Sequence, residues 1–166
     1  MILTGVQMQK QLMDQWCWAA VASTVSFYYY NNLNGLRQAD VASMAVNPVC
    51  SIVTADNAAD YSQCDEPQDL GYVLKSVTHN GAWDIPQALN PNQIIHQLNG
   101  GYPICCQINW NGITVAHYVL LYGIDGDNVL IGDPAANNYW APYDYLTSNF
   151  ANNGGFWSRS IGTQAV

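Results

Sequence analysis

An α+β fold, helices first and an antiparallel sheet after them, is what the 166-residue sequence predicts from two observations. Apolar residues recur at helical spacing as far as Gly100-Gly101, and beyond that point they alternate. Asp125-Gly126-Asp127-Asn128 then separates two alternating runs, as the turn of a β-hairpin does. Helices followed by strands imply two halves packed in one domain spanning residues 1–166, with no internal repeat or linker. A hydrophobic content of 49% and an aromatic content of 12% exclude disorder.

The first helix is expected to begin at or just before Cys17 and to carry Trp18, Val21, Val25, Tyr28 and Tyr29 on one face. Asn31-Asn32-Leu33-Asn34-Gly35 breaks it. Leu36 to Val46 reads as a shorter amphipathic helix that stops before Pro48, and the polar stretch from Cys50 to Asp65 reads as a loop. A third helix is expected from Glu66-Pro67, burying Leu70, Val73, Leu74 and Val77 and ending at Asn80-Gly81. Asn90-Pro91 opens a fourth, which buries Ile94, Ile95 and Leu98. Strands are expected at Ile104 to Trp110, Ala116 to Ile124, Asn128 to Asp133 and Phe156 to Ile161, with a short helix at Tyr143 to Phe150.

Charge narrows the function classes. The formal net charge of -8 leaves only Lys10, Arg37, Lys75 and Arg159 as permanent cations. Such a chain has no footprint for nucleic acid or an anionic membrane, whereas a basic protein partner would be attracted. No apolar run is long enough to span a bilayer, and Met1 to Lys10 lacks the pattern of a secretory signal. Five cysteines leave at least one unpaired. Cys50 and Cys64 bracket a loop and could close a surface disulfide in an oxidising compartment, or stay reduced in a reducing one. Adjacent Cys105 and Cys106 point to opposite faces of a strand and read as packing residues, since no cysteine–histidine cluster has zinc spacing.

Cys17 differs from the other four. At a helix N-terminus it faces free backbone N–H groups and the positive end of the helix dipole, both of which favour a thiolate. A lone cysteine on an apolar helix is more often a small buried hydrophobe, so the reading depends on finding a base. His117 opens one arm of the hairpin and Asp133 closes the other, so both come to the same end of the sheet. The histidine can take the thiol proton, and the aspartate can fix the ring tautomer. Gln11, six residues before Cys17, can aim its amide at a developing oxyanion, in competition with Gln9 and Gln15. His79 and His96 are expected on helices among polar residues, as surface groups. Trp16 and Trp18 read as packing around the nucleophile, and Trp110 and Trp140 as packing or cleft wall.

Taken in order, Gln11, Trp16-Cys17-Trp18-Ala19-Ala20, His117-Tyr118-Val119 and Asp133-Pro134 resemble the papain-like cysteine peptidases. The first block resembles bacterial effector proteases that act inside plant cells. The second resembles peptidase domains that trim double-glycine leaders from bacteriocins. The resemblance implies a papain-like two-lobed fold, with a helical lobe bearing the nucleophile, a sheet lobe bearing the base and a cleft between them. It also implies peptide-bond hydrolysis through a thioester, without metal or cofactor, by Cys17, His117, Asp133 and Gln11. Further expectations are cleavage after Gly-Gly, delivery of an effector or toxin to another cell, and an inhibitor in the producing cell that plugs the cleft. Two other classes compete: an amidase or acyltransferase acting on cell-wall peptide or glutamine side chains, and a catalytically silent binding module. Fragments released from peptidoglycan would mark the former, and an unreactive Cys17 the latter.

Overall fold

The computed structural model describes residues 1–166, apart from the side chain of Asn32. Helix α1 (Cys17–Asn34) runs through the middle of the helical half, and from Cys17 to Ser26 it is buried on every side. It packs against α2 (Gln38–Ala45), α3 (Leu70–Ser76) and the sheet, so no polar face is left to alternate with the apolar one. Its buried hydroxyls are satisfied locally: Ser23 donates to Leu36 O at 2.7 Å and Thr24 to Ala20 O at 2.8 Å. Asn31, at φ 61°, breaks the helix where the asparagine-rich stretch predicted.

The sheet has six strands in the order β1-β6-β2-β3-β4-β5, every neighbouring pair antiparallel. These are β1 (Gly81–Ile85), β2 (Ile104–Asn109), β3 (His117–Asp125), β4 (Asn128–Gly132), β5 (Asn138–Pro142) and β6 (Phe156–Thr163). Side-chain alternation splits the central strands between two cores. Cys105, Tyr118, Leu120 and Ile161 face α1 to α3. Ile104, Cys106, Val119 and Leu121 face the opposite side with α4 (Pro91–Asn99) and α5 (Tyr143–Ser148). Cys105 and Cys106 therefore belong to different cores, as expected of neighbours on a strand. No helix is long and apolar enough to cross a membrane.

Several elements depart from the sequence reading. Helix α3 starts at Leu70, not at Glu66-Pro67, because Asp69 caps it by accepting the Tyr72 N–H at 2.8 Å. The presumed loop from Cys50 to Asp65 is organised by two 3₁₀ turns, Pro48–Ile52 and Ala58–Cys64. Ile95, expected in the core, is exposed on α4, whose buried face is Ile94 and Leu98. His79 lies past the end of α3, at φ 60°, and like His96 it is exposed. Strands β1 and β5 had no counterpart in the sequence reading.

Cys50 and Cys64 form a disulfide, but not a surface one: both are fully buried and join the two 3₁₀ turns against the helical core. With its partners 14 positions apart in sequence, the bridge removes enough freedom from the unfolded chain to contribute about 3 kcal/mol. Replacing both cysteines with alanine is expected to lower the thermal midpoint by roughly 5–10 °C, read by circular dichroism. An unchanged midpoint would show that the two turns hold without the bridge.

Candidate active site

The N-terminal strap brings the site together. Met1 and Leu3 hydrogen-bond β3 at Ile124 and Tyr122, and the chain then crosses to the helical half. There the buried Gln38 side chain holds it, donating to Lys10 O at 2.9 Å and Gln9 Oε1 at 3.1 Å and accepting the Leu12 N–H at 3.0 Å. The Gln11 N–H donates to Pro134 O at 2.9 Å, tying the loop before α1 to the residue after Asp133. A short turn then delivers Cys17 as the first residue of α1, with Trp16 as N-cap residue and no side-chain cap. The Cys17 N–H is among the donors that a first helical turn leaves without an intrahelical acceptor.

His117 begins β3, and Asp133 follows the last residue of β4. The imidazole Nε2 lies 2.8 Å from Asp133 Oδ1, and the Ala135 N–H donates to the same oxygen at 2.9 Å. With Nε2 committed to the carboxylate, Nδ1 is the ring nitrogen left for the Cys17 thiol, which lines the same cleft. Burial alone would pull the His117 pKa down, but the bonded Asp133 carboxylate and the neighbouring Cys17 sulfur outweigh it and raise it to about 9. An imidazole of that basicity is protonated at neutral pH. The two other free thiols are Cys105 and Cys106, both held protonated by burial.

A cleft of about 510 Å³ opens over Cys17, His117 and Asp133. Trp110, Ile113, Val115 and Phe150 supply its apolar lining, and Asp14 and Gln15 line it as well. Ile113 and Val115 sit on the loop ahead of β3, and about half of each is exposed. A pocket of similar size between β1 and α4, lined by Trp83, Leu89 and His96, contains neither Cys17 nor His117.

Gln11 is placed beside the site rather than in its lining. Its amide donates to Met13 O at 2.9 Å and Asp14 O at 2.7 Å, while Oε1 is buried with no partner among the described residues. Of the expected cleft tryptophans, Trp110 lines the wall, whereas Trp140 lies exposed on edge strand β5 and does not line the cleft. Trp16 and Trp18 are fully buried. Among the described residues, no group of three or more His, Cys, Asp or Glu side chains could hold a metal ion. Asp65 was missed by the sequence reading, though its carboxylate accepts the Gln15 N–H at 2.7 Å, two residues before Cys17. An aspartate behind a cysteine in a polar stretch carries no signal that could have marked it.

Residues 2–143 match the family described as papain-like cysteine protease AvrRpt2, a span that includes Cys17, His117 and Asp133. The chain belongs to that family. This AvrRpt2-family peptidase also shares its fold with a solved structure from Bacillus anthracis described as a C39-like peptidase. The TM-score is 0.62 at 15% identity, over 99% of this chain and 97% of the other. No curated protein matches the sequence. The papain-like α+β fold and the peptidase class expected from the motifs therefore stand for this AvrRpt2-family chain.

Proposed function

We propose that the protein is an endopeptidase that cleaves a protein substrate with Cys17 as nucleophile, His117 as proton carrier and Asp133 as the group that orients the ring. The observation that carries this reading is an imidazole bonded to a carboxylate through Nε2 in the same cleft as a thiol at a helix N-terminus. With its proton passed to His117, the Cys17 sulfur is the form that attacks a carbonyl carbon. As the tetrahedral intermediate collapses, His117 passes its proton to the departing amine and a thioester remains on Cys17. The same ring then takes a proton from water, which hydrolyses the thioester and regenerates the thiol. Asp133 keeps the Nε2–H anchored throughout, so Nδ1 always faces the sulfur. The Cys17 N–H and the Gln11 amide supply the oxyanion donors.

The His117-to-Pro134 block resembles the leader-trimming branch, and this supports a preference for Gly-Gly ahead of the cut bond. The Trp16-to-Ala20 block resembles the effector branch and supports secretion or delivery into another cell, with a cognate inhibitor occluding the cleft of the producer's own enzyme. Incubating wild-type and Cys17→Ala protein with a bacterial lysate, followed by N-terminal proteomics, tests the reaction and the bond together. New N-termini in the wild-type sample alone, preceded by Gly-Gly, are expected. Equal cleavage in both samples removes Cys17 from the mechanism. Cuts after other residues remove the Gly-Gly preference but leave the peptidase.

A further inference from the structure

The residues around the nucleophile are held from behind by a segment that does not line the cleft. Gln15 N–H, Trp16 Nε1 and Trp18 Nε1 donate to Asp65 Oδ1, Cys64 O and Glu66 O at 2.7, 2.7 and 2.9 Å. Three residues bracketing Cys17 thus reach three consecutive acceptors, and the first of those acceptors belongs to the Cys50–Cys64 bridge. Trp16 is fully buried, so its indole N–H has no water to fall back on if Cys64 moves. Nothing in the helix itself sets where α1 starts, because its N-cap residue, Trp16, makes no side-chain cap.

We propose that Asp65, fixed by the Cys50–Cys64 bridge, is a positioning residue for Cys17. It holds the Gln15 peptide and so sets the direction in which the Cys17 sulfur and N–H face the cleft. The proposal rests on Cys17 being the nucleophile. Of the three acceptors only Asp65 offers a side chain, since Cys64 and Glu66 contribute main-chain carbonyls. Asp65 can therefore be altered while the bridge and both indole bonds stay in place. A reacting atom displaced by about 1 Å typically costs about 10²-fold in rate.

Two readouts keep this separate from the function itself: kcat and KM on a peptide that the wild type cleaves, and the iodoacetamide alkylation rate of Cys17 followed by mass spectrometry. Asp65→Ala is expected to lower kcat about 10- to 100-fold, with KM changed by less than about threefold, and to slow alkylation by about tenfold. Asp65→Asn, which keeps an acceptor oxygen, is expected to restore most of both. An alkylation rate in Asp65→Ala within about twofold of wild type overturns the proposal, whether or not a substrate has been found. So does a kcat within threefold of wild type accompanied only by a lower thermal midpoint, which would make Asp65 a stabilising residue. If the wild type cleaves nothing yet Asp65→Ala still loses its alkylation rate, the peptidase reading fails and the positioning role stands.

Discussion

Replacing His117 with alanine is expected to lower kcat/KM by about 10⁴-fold or more, the scale on which a nucleophile–base unit fails when its base is lost. On the proposed mechanism the substitution takes away the proton acceptor, the acid for the leaving amine and the positive charge that the ring gains beside the sulfur. The last of these can be read without substrate. In wild type, iodoacetamide at neutral pH should label Cys17 well ahead of Cys105 and Cys106, which burial keeps protonated. In His117→Ala that lead should disappear. Equal labelling of Cys17 in both proteins would mean that the imidazole does not activate the thiol, and the hydrolytic mechanism would lose its base.

The same variant carries a signature in stability. Burial opposes the protonated ring, but the bonded Asp133 carboxylate and the neighbouring Cys17 sulfur prevail and lift the pKa from 6.5 to about 9. A pKa raised on folding adds stability that is complete below about pH 6.5 and is lost as the pH climbs through about 9. Over that window the wild type should lose on the order of 2–3 kcal/mol, seen as a falling thermal midpoint. The stability deficit of His117→Ala against wild type should be larger near pH 6 than near pH 9. A midpoint that rises with pH in wild type would contradict the bond pattern around the ring.

The meeting of His117 with Asp133 and the middle of the sheet were legible because each rests on a strong local signal. Strands β2, β3 and β4 are buried and apolar, and the Asp125–Asn128 turn fixes their pairing and hence the common end at which His117 and Asp133 meet. The strands that escaped notice, β1 and β5, are the two edges. Each is only five residues long, and although burial alternates along both, residue type does not: Ala82 and Trp140 face outward and β5 closes on Pro142. The start of α3 was misplaced for a different reason. Pro67 suits a first helical turn, but Asp69 caps from its own side chain, and the preceding residues are engaged with Gln15, Trp16 and Trp18. That competition between a local signal and contacts 48 to 50 residues away in sequence cannot be read from local pattern. The burial of the Cys50–Cys64 bridge was hidden likewise, since the polar residues between the cysteines face outward while the sulfurs turn in.

Gln11→Ala is expected to lower kcat by about 10²- to 10³-fold, the usual cost of one oxyanion donor, with little change in KM because the charge it meets exists only in the transition state. The resting geometry makes this a demanding test, since both amide hydrogens are already used, on Met13 O and Asp14 O. Turning the amide over would set Oε1 against those two carbonyls, so the orientation is fixed. The Asp14 bond is the exposed one of the pair, and water can replace it there. An oxyanion is the stronger acceptor, because its charge shortens and strengthens the bond. Exchange of Asp14 O for the oxyanion is therefore favourable at the moment the negative charge develops. Gln15, which does line the cleft, is the competitor. Gln15→Ala should leave kcat within about threefold of wild type, and a larger loss there than in Gln11→Ala would transfer the role to Gln15. Alkylation separates the oxyanion role from loop-shaping, because iodoacetamide reacts at carbon without forming an oxyanion. Cys17 in Gln11→Ala should be labelled at the wild-type rate; a slowed rate would mean that Gln11 acts by holding the Met13–Asp14 turn beneath the nucleophile.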